Sequence, residues 1–382
     1  MAASRLRLAM IGGGRGAFIG AVHRMAARLD DRYELVGGVF SSDPQRSRDS
    51  GADLRLAPER CYATLDDMLR TERNRPDRVD VVAVVTPNHL HYDPAKRCLE
   101  AGFHVICDKP LTTTLAHAEE LSHLVGQTKR VFAVTYNYSG YPLVRQAKEM
   151  IASGELGDIR VVQTEYAQDW LATPVEATGN KQATWRVDPE RSGMAGAIGD
   201  IGTHAFHLTE FMTGMRVTQL AADLSIAVPG RRLDDNGQML MRFANGARAS
   251  LWASQVAPGN ENGLRIRVYG AKAGLEWSQE TPNQLRFAPV GEQPRILTRG
   301  GPGLGAWAKA AVRVPSGHPE GYIEAFAQIY SDAADLIVAS KEGRAASGGA
   351  LLVPTVADGV RGVQFIQAAV SSSQRNAAWV SL

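Results

Sequence analysis

Short apolar runs alternate with amphipathic segments through the first third of the chain. Runs rich in β-branched residues indicate buried parallel strands, here Leu6–Ile11, Glu34–Phe40, Val79–Val85, Phe103–Cys107 and Val131–Thr135. Between them, apolar residues recur at helical spacing over Phe18–Leu29, Asp66–Glu72, His91–Ala101 and Leu115–Val125. This alternation predicts an α/β domain with a doubly wound parallel sheet over residues 1–136.

The pattern changes near residue 137. A helix, a long strand and a second helix are predicted at Leu143–Ala152, Ile159–Gln168 and Thr203–Met212. Strands then follow one another at Val217–Ile226, Gln238–Phe243, Arg248–Val256, Leu264–Tyr269 and Gly274–Trp277, as in a mainly antiparallel sheet. Helices Pro319–Ser340 and Pro354–Ser373 close the chain, whereas Gly291–Gly305 is a glycine- and proline-rich loop without an assigned role. Residues 137–382 are therefore predicted to form a second, α+β domain, and two domains suit a chain of 382 residues.

Composition narrows the class of protein. The 42 basic and 40 acidic residues give a formal charge of +2 with no long run of either sign, which argues against nucleic acid as a partner. The three cysteines, Cys61, Cys98 and Cys107, form no CxxC pair and are expected to be free thiols in a reducing compartment. The first apolar stretch, Leu8–Ile11, is too short for a signal peptide, and no run approaches the roughly 18 apolar residues of a membrane span. We expect a cytoplasmic protein without a membrane partner.

A glycine-rich loop follows the first predicted strand. It reads Gly12-Gly13-Gly14-Arg15-Gly16-Ala17 and leads into a helix that opens with Phe18. Small residues at its first, third and sixth positions allow a tight turn, close approach to a pyrophosphate and packing of helix against strand. The alternative is a tight turn without a ligand. We predict a Rossmann dinucleotide site, in which Arg15 either caps a phosphate or lies in solvent.

Two further segments end strands at the same edge of the sheet, where α/β folds bind ligands. Thr86, Pro87 and Asn88 follow one strand and are predicted to line the cofactor, although they also suit a strand stop and helix start. His91 is assigned to the cofactor site, with a role in helix entry as the alternative. Asp108 and Lys109 follow the next strand, and Pro110 restricts the lysine backbone to extended conformations.

Lys109 is a candidate catalytic residue when it is considered together with Asp200 and His204. These two lie in the run Gly199-Asp200-Ile201-Gly202-Thr203-His204. A lysine, an imidazole and an orienting carboxylate on one substrate hydroxyl would support hydride transfer. Asp200, His204 and His207 also have metal-ligand spacing, but no fourth ligand accompanies them, so no metal is predicted. In a structural alternative, Asp200 caps a helix and the histidines fill the core.

The chain resembles the Gfo/Idh/MocA oxidoreductases over nearly its whole length. The resemblance lies in the glycine loop, Thr86-Pro87-Asn88, Asp108-Lys109-Pro110 and the Asp200–His204 run. In the family, the third of these motifs more often reads Glu-Lys-Pro. Within that family, three stretches are similar to scyllo-inositol dehydrogenases that also oxidise L-glucose. They are Lys181–Arg186, Glu261–Leu264 and Gly317–Tyr322. Levoglucosan dehydrogenases share related patterns.

The resemblance implies roles for individual residues. His204 would accept the hydroxyl proton as hydride leaves for the nicotinamide, Lys109 would stabilise the alkoxide, and Asp200 would orient both. Gln168 and Arg186 are assigned to substrate hydroxyls, with surface or interface salt bridges as the alternative. The family often has an arginine after the sixth strand, but here the segment reads Asn137–Pro142, so no role is carried over there.

The resemblance also implies a homotetramer assembled through the second-domain sheet. On that basis His318 would reach the substrate of a neighbouring subunit, because Gly317 and Pro319 shape a projecting loop. The alternative is a turn that leads into a helix of its own subunit.

Cofactor preference depends on the end of the second strand. NAD enzymes usually hold an acid at this position, but here Ser41 and Ser42 are followed by Asp43 and Arg46. Asp43 suits a helix cap before Pro44, whereas the serines and Arg46 could accept a 2′-phosphate. Because the similar dehydrogenases use NAD, we predict NAD as cofactor and leave NADP open.

The sequence therefore predicts NAD-dependent oxidation of a secondary hydroxyl of a cyclic polyol or sugar, such as scyllo-inositol or L-glucose, to the ketone or lactone. An alternative inside the family is a 3-dehydrogenase of glycosides or anhydrosugars such as levoglucosan. Alternatives from other classes are a metal-dependent sugar hydrolase or isomerase and a non-catalytic nucleotide sensor. Intact Lys109 and His204 argue against the sensor.

Overall fold

A computed structural model describes residues 5–382. The chain divides into two compact units. The first contains the residues up to Thr112, Ala116–Asn137 and Tyr322–Val360, and the second contains Thr113–Leu115, Tyr138–Gly321 and Arg361–Leu382. In the described part of the chain, none of the helices is long and apolar enough to cross a membrane.

A five-stranded sheet forms the centre of the first unit. Its strands are β1 (Leu6–Gly12), β2 (Tyr33–Val39), β3 (Val81–Val85), β4 (His104–Cys107) and β5 (Phe132–Val134). They pair in parallel in the order β2-β1-β3-β4-β5. The helices between them are α1 (Phe18–Leu29), α2 (Pro44–Asp53), α3 (Leu65–Arg73), α4 (Tyr92–Glu100) and α5 (Leu115–Thr128). The predicted parallel-sheet domain is confirmed.

A nine-stranded sheet dominates the second unit. Its strands are β6 (Ile159–Ala167), β7 (Val217–Ser225), β8 (Asn236–Phe243), β9 (Arg248–Ser254), β10 (Gly263–Gly270), β11 (Ala273–Ser278), β12 (Gln284–Pro289), β13 (Arg295–Thr298) and β14 (Val380–Ser381). They lie in the order β13-β12-β11-β10-β6-β9-β8-β7-β14. Only β6 and β9 pair in parallel, so the predicted, mainly antiparallel sheet is confirmed. The segment Gly291–Gly305 is not all loop, because it contains the edge strand β13.

The remaining helices are α6 (Pro142–Ala152), α7 (Lys181–Arg186), α8 (Pro189–Ser192), α9 (Thr203–Thr213), α10 (Ala306–Lys309), α11 (Tyr322–Glu342) and α12 (Val356–Gln374). Helices α6 and α9 pack on the larger sheet. Stacked rings of Phe206 and Phe365, 4.3 Å apart, join α9 to the second half of α12.

Helix α11 belongs to the first unit, although the sequence prediction placed all of residues 137–382 in the second domain. Phe326 and Tyr330 enter the core cluster that contains Val22 and Ala26 of α1. Tyr33 of β2 also donates a hydrogen bond of 2.8 Å to the Tyr330 carbonyl. The apolar face of α11 is therefore buried against the parallel-sheet unit, more than 180 residues after that unit's last strand.

Candidate active site

The glycine loop adopts backbone conformations that favour glycine. Gly12, Gly13 and Gly16 have φ of +84°, +72° and +77°. A Cβ on Gly13 would lie 2.9 Å from the Cα of Gly20, the glycine at which α1 meets the loop. Ala17 is the N-cap of α1 and has no oxygen in its side chain to bind the first N–H groups of the helix. This cradle fits a pyrophosphate, which would accept from those N–H groups.

Arg15 is turned toward α2. Its guanidinium donates to Asp53 Oδ1 at 2.7 Å and lies 3.3 Å from Asp49 Oδ2, which is the surface alternative of the sequence analysis. Its backbone carbonyl accepts from Arg46 Nη2 at 2.6 Å. Phe18, the first residue of α1, is 65% exposed. The Phe18 ring is thus exposed beside the loop, and the Arg15 guanidinium is paired with the carboxylates of α2.

The end of β2 is polar but carries no carboxylate at position 41. Ser41 Oγ accepts from the Asp43 N–H at 3.1 Å, and Ser42 is exposed. Asp43 caps α2 by accepting from the Arg46 N–H at 2.7 Å, as its position before Pro44 predicts.

The segment after β3 is held by His91. Its Nε2 lies 2.8 Å from the Thr86 carbonyl and its Nδ1 lies 2.9 Å from the Pro110 carbonyl. The ring is 1% exposed, and burial lowers its pKa. Asn88 is also buried, in a turn of 3₁₀ helix. His91 thus joins the loops after β3 and β4, so its geometry favours structural support over direct cofactor contact.

Asp108 and Lys109 follow β4 and are both half-buried, and the Lys109–Pro110 peptide bond is cis. Asp108 Oδ1 accepts from the Lys109 N–H at 3.0 Å and from the Thr135 hydroxyl at 2.6 Å. Its Oδ2 lies 3.9 Å from His23 Nε2. Desolvation opposes the charged form, but His23, the Lys109 ammonium and the Thr135 hydroxyl outweigh it and hold the pKa of Asp108 well below its usual range. A fixed anion therefore lies directly before Lys109.

The carboxylate of Asp200 lies at the centre of a polar network in the second unit. Asp200 belongs to a π-helical turn, Ile198–Gly202, that runs directly into α9. Its Oδ2 accepts from Arg186 Nε at 3.0 Å and from Gln255 Nε2 at 2.9 Å. The N-cap position of α9 is Gly202, so Asp200 lies two residues before the position that the capping alternative assigned to it. Both donors favour the ionised carboxylate.

Arg186 is fixed on several sides. Besides Asp200, it donates to Gln182 Oε1 at 2.7 Å, and its guanidinium lies 4.3 Å from the ring centre of Trp185. The ring centre of Trp170 lies 5.7 Å from the same guanidinium. Arg186 thus forms a salt bridge with Asp200 in which both side chains are largely buried, unlike the surface salt bridge named as its alternative role.

His204 is packed against aromatic rings. It is 7% exposed, and its ring lies edge-on to Tyr138 at 4.8 Å between centres. Tyr166 donates to Asn262 Oδ1 at 2.7 Å, and the hydroxyls of Tyr138 and Tyr166 are hydrogen-bonded to each other. Burial raises the pKa of Tyr138, and Asp200 raises it further, so the phenol stays neutral.

Gln168 links this tyrosine pair to the Asp200 network. It donates to Asn262 Oδ1 at 2.8 Å and accepts from Gln255 Nε2 at 3.3 Å and from Trp170 Nε1 at 3.1 Å. A continuous row of amide, phenol and carboxylate groups results. Such a row can recognise several hydroxyl groups of one small molecule.

His207 lies outside this row. It is buried and stacks on Phe211 at 5.7 Å, as a core residue does. Among the described residues, no group of three or more histidine, cysteine, aspartate or glutamate side chains is arranged to hold a metal ion.

His318 is exposed on a tightly bonded loop of the second unit. Arg299, 3% exposed, donates to the carbonyls of Val314, at 2.6 Å, and His318, and to Glu320 Oε1 at 2.7 Å. The loop backbone is therefore fixed while the imidazole projects outward.

The predicted residues fall into two halves. The glycine loop, Asp108 and Lys109 belong to the first unit, and Asp200, His204 and Arg186 belong to the second. Sequence reasoning missed Tyr138, Tyr166, Gln255 and Asn262. Tyr138 lies in the segment Asn137–Pro142, where the family often has an arginine, and Asn262 lies in a stretch used for the resemblance, but neither had a role assigned.

Comparison with known proteins agrees with both halves. Residues 6–136 match the model of an oxidoreductase family with an NAD-binding Rossmann fold, and residues 144–276 match the GFO/IDH/MocA C-terminal domain. The crystal structure of an oxidoreductase from Sinorhizobium meliloti is 49% identical, with a TM-score of 0.90 and 99% of each chain covered. An inositol dehydrogenase homolog from Azotobacter vinelandii, solved with NAD⁺, is 40% identical, with a TM-score of 0.94 over 100% of this chain and 98% of that chain.

The levoglucosan dehydrogenase of Pseudarthrobacter phenanthrenivorans (strain DSM 18606 / JCM 16027 / LMG 23796 / Sphe3) is 28% identical over 99% of this chain and 98% of its own. These relatives share the full length of the protein and not only the nucleotide-binding unit. With the two matched models, they show that the chain belongs to the Gfo/Idh/MocA family of NAD-binding oxidoreductases.

Proposed function

We propose that the protein is an NAD-dependent dehydrogenase that oxidises a secondary hydroxyl of a cyclic polyol or sugar. The observation that carries this proposal is the polar row from Asp200 through Gln255 and Gln168 to Asn262, beside the imidazole of His204. A row of this kind matches a ligand with several hydroxyl groups. The Azotobacter vinelandii homolog was also solved with NADH and myo-inositol, at 40% identity and a TM-score of 0.92.

The proposed chemistry assigns one role to each residue. NAD, when bound, supplies the hydride acceptor. His204 accepts the hydroxyl proton of the substrate, and the positive charge of Lys109 stabilises the oxygen as negative charge develops on it. Asp200 orients these groups while Arg186 and Gln255 hold its carboxylate. The carbon loses a hydride and its hydroxyl loses a proton, so the product is a ketone, or a lactone when the carbon is anomeric.

We place the nicotinamide cofactor on the glycine loop, with Thr86–Asn88 and Asp108–Lys109 on its other side. The loop supports this proposal because its backbone is open to a pyrophosphate at the start of α1. The finer substrate proposal is scyllo-inositol, with L-glucose as a second substrate. Oxidation of an anhydrosugar at C3 is the second candidate. It is favoured by the Pseudarthrobacter relative and by a levoglucosan dehydrogenase structure solved with NADH and levoglucosan, at 27% identity and a TM-score of 0.84.

A substrate panel tests the proposal. Purified protein is mixed with NAD⁺ or NADP⁺ and with scyllo-inositol, myo-inositol, both glucose enantiomers or levoglucosan, and formation of reduced cofactor is followed. We expect turnover with an inositol or L-glucose and little with levoglucosan. His204→Ala serves as the control, since it should bind NAD⁺ normally and turn over no substrate. Absence of turnover with every polyol and sugar would contradict the proposed function.

A further inference from the structure

The π-helical turn that carries Asp200 needs support from outside its own helix. Pi-helical turns are uncommon and less stable than α-helix, and they occur mainly at functional sites. The turn spans Ile198–Gly202, and Gly202, the N-cap of α9, has no side-chain oxygen with which to bind the helix. The position of Asp200 therefore depends on what holds the backbone before residue 198.

Asp234 binds that backbone. Its Oδ1 accepts from the Gly196 N–H at 2.8 Å, and its Oδ2 accepts from the Ile198 N–H at 2.8 Å. Its own carbonyl accepts from the Ala197 N–H between them, also at 2.8 Å. Three consecutive N–H groups thus donate to one aspartate. Gly196 makes this approach possible, because a Cβ there would lie 2.2 Å from the Asp234 carbonyl oxygen.

The contact extends to Asp200 from two directions. The Asp200 N–H donates to the Gly196 carbonyl at 2.9 Å, so the bound segment directly fixes the Asp200 backbone. The Gln255 N–H donates to the carbonyl of Asp235, at 2.8 Å, and the Gln255 side chain donates to the Asp200 carboxylate. The Asp234–Asp235 segment therefore holds both the main chain of Asp200 and one of its side-chain donors.

We propose that Asp234 is the positioning residue of the active site, which sets the place of Asp200 and the start of α9 by binding the N–H groups of residues 196–198. It touches none of the reacting groups. The expected effect on turnover rests on the proposed function, in which Asp200 and His204 act on the substrate. The expected effect on the backbone of residues 196–202 does not depend on that function.

Asp235 offers a matched control, since it is a second buried carboxylate in the next position. It accepts from the N–H groups of Ala227 and Val228 at 2.7 and 2.9 Å, and from Arg231 Nη1 at 3.2 Å. Its side chain thus anchors a different loop. Asp235→Asn also changes a buried carboxylate, and it weakens the pair with Arg231 as well, but it should not loosen the turn at Asp200.

The test compares wild type, Asp234→Asn, Asp234→Ala and Asp235→Asn. Hydrogen exchange measured by mass spectrometry reports on peptides that cover residues 196–202, and kcat and KM are measured with NAD⁺ and the best polyol of the panel. A lost hydrogen bond to a charged group predicts about 10- to 100-fold faster exchange and a similar fall in kcat for Asp234→Asn, with a larger effect for Asp234→Ala. KM and NAD⁺ affinity should change little. If Asp234→Ala fails to fold, the asparagine variant decides.

Equal exchange at residues 196–202 in Asp234→Asn and Asp235→Asn would overturn the proposal. So would an unchanged kcat in a folded Asp234→Asn whose wild type is active. If the wild type oxidises no polyol, the proposed function fails, and hydrogen exchange still decides whether Asp234 holds the turn. The two failures are therefore distinguishable.

Discussion

Arg186 holds the carboxylate of Asp200 through its Nε, 3.0 Å from Asp200 Oδ2, and binds Gln182 through its Nη1. Sequence reasoning assigned Arg186 to substrate hydroxyls, whereas this geometry gives it a direct part in orienting Asp200. We expect Arg186→Gln to lower kcat about 10- to 100-fold, since a charge-assisted hydrogen bond contributes about 1.5–3 kcal/mol. Gln182→Ala, which removes a partner of Arg186 but not of Asp200, is the control. A rise in KM with unchanged kcat would instead support the substrate-binding role.

Lys109→Met should nearly abolish turnover while NAD⁺ binding survives. Removing one electrostatic stabiliser of a transition state typically costs about 2.7–4 kcal/mol, or roughly 100- to 1000-fold in rate. Turnover is measured with the best polyol, and NAD⁺ affinity by calorimetry. Lys96→Met is a matched control, because Lys96 pairs with Glu120 at the surface of the same unit. A Lys109→Met variant with more than about a tenth of wild-type activity would exclude the assigned role.

The five strands of the parallel sheet could be predicted nearly to their residue boundaries, because buried parallel strands are continuous apolar runs in the sequence. Helix α2 was anticipated only at its start, through the possible cap Asp43 before Pro44, and its extent was not predicted. Its sequence from Pro44 to Asp53 consists almost entirely of polar and small residues, so no apolar periodicity marks it. Helix α11 was recognised as a helix but assigned to the wrong unit. An amphipathic pattern shows that a face is buried and does not show against which sheet.

Only part of the candidate site could be predicted, because a sequence pattern does not show which distant segments meet. Asp200 and His204 lie within one short motif, so their association is visible in the sequence. Gln168 and Gln255 are far apart in sequence and meet because β6 and β9 pair in parallel, with Ala167 opposite Ser254. Pairing register, which no single segment encodes, decides that contact. Asp234 binds the turn at Asp200 across a shorter gap, 38 residues from Gly196.

The cofactor preference should respond to a charge at position 41. The end of β2 carries Ser41 in place of an acid, so we expect NAD to be preferred over NADP only modestly. Ser41→Asp should reduce kcat/KM for NADP by about 100- to 1000-fold and leave NAD nearly unchanged, since two like charges about 4 Å apart repel by roughly 4 kcal/mol at an effective dielectric of 20. Ser41→Asn is the neutral control. A wild type that strongly prefers NADP would instead assign Ser41, Ser42 and Arg46 to a 2′-phosphate site.

His318 is expected to act on the substrate of a neighbouring subunit. Its ring projects from a loop whose backbone is fixed by Arg299, and the family resemblance implies an oligomer. Inactive His318→Ala subunits are mixed with inactive Lys109→Met subunits, and activity is measured after exchange. Recovery is expected, because a hybrid restores one site with an intact Lys109 and a partner's imidazole. No recovery after proven exchange would restrict His318 to its own subunit.

The last prediction concerns acid stability and His104 of β4. This imidazole is 4% exposed, and its Nδ1 accepts from the Val131 N–H at 2.9 Å, so the folded protein holds it neutral. Burial, reinforced by the nearby Arg130 charge, lowers its pKa to about 4. In the unfolded chain the same group takes up its proton near pH 6.5.

Between about pH 6.5 and 4 the unfolded state therefore binds the extra proton, and the free energy of unfolding must fall as the pH falls through this window. The difference between a pKa of about 4 in the folded protein and about 6.5 in the unfolded chain corresponds to about 3 kcal/mol in the free energy of unfolding. This contribution is fully present above pH 6.5 and is lost near pH 4. Denaturant unfolding of wild type and His104→Gln at pH 7, 6, 5 and 4 measures it. The variant should be less stable than wild type at pH 7, and the difference should shrink toward pH 4. A difference that stays constant with pH, or equals that of the exposed control His123→Gln, would show that His104 does not titrate in this way.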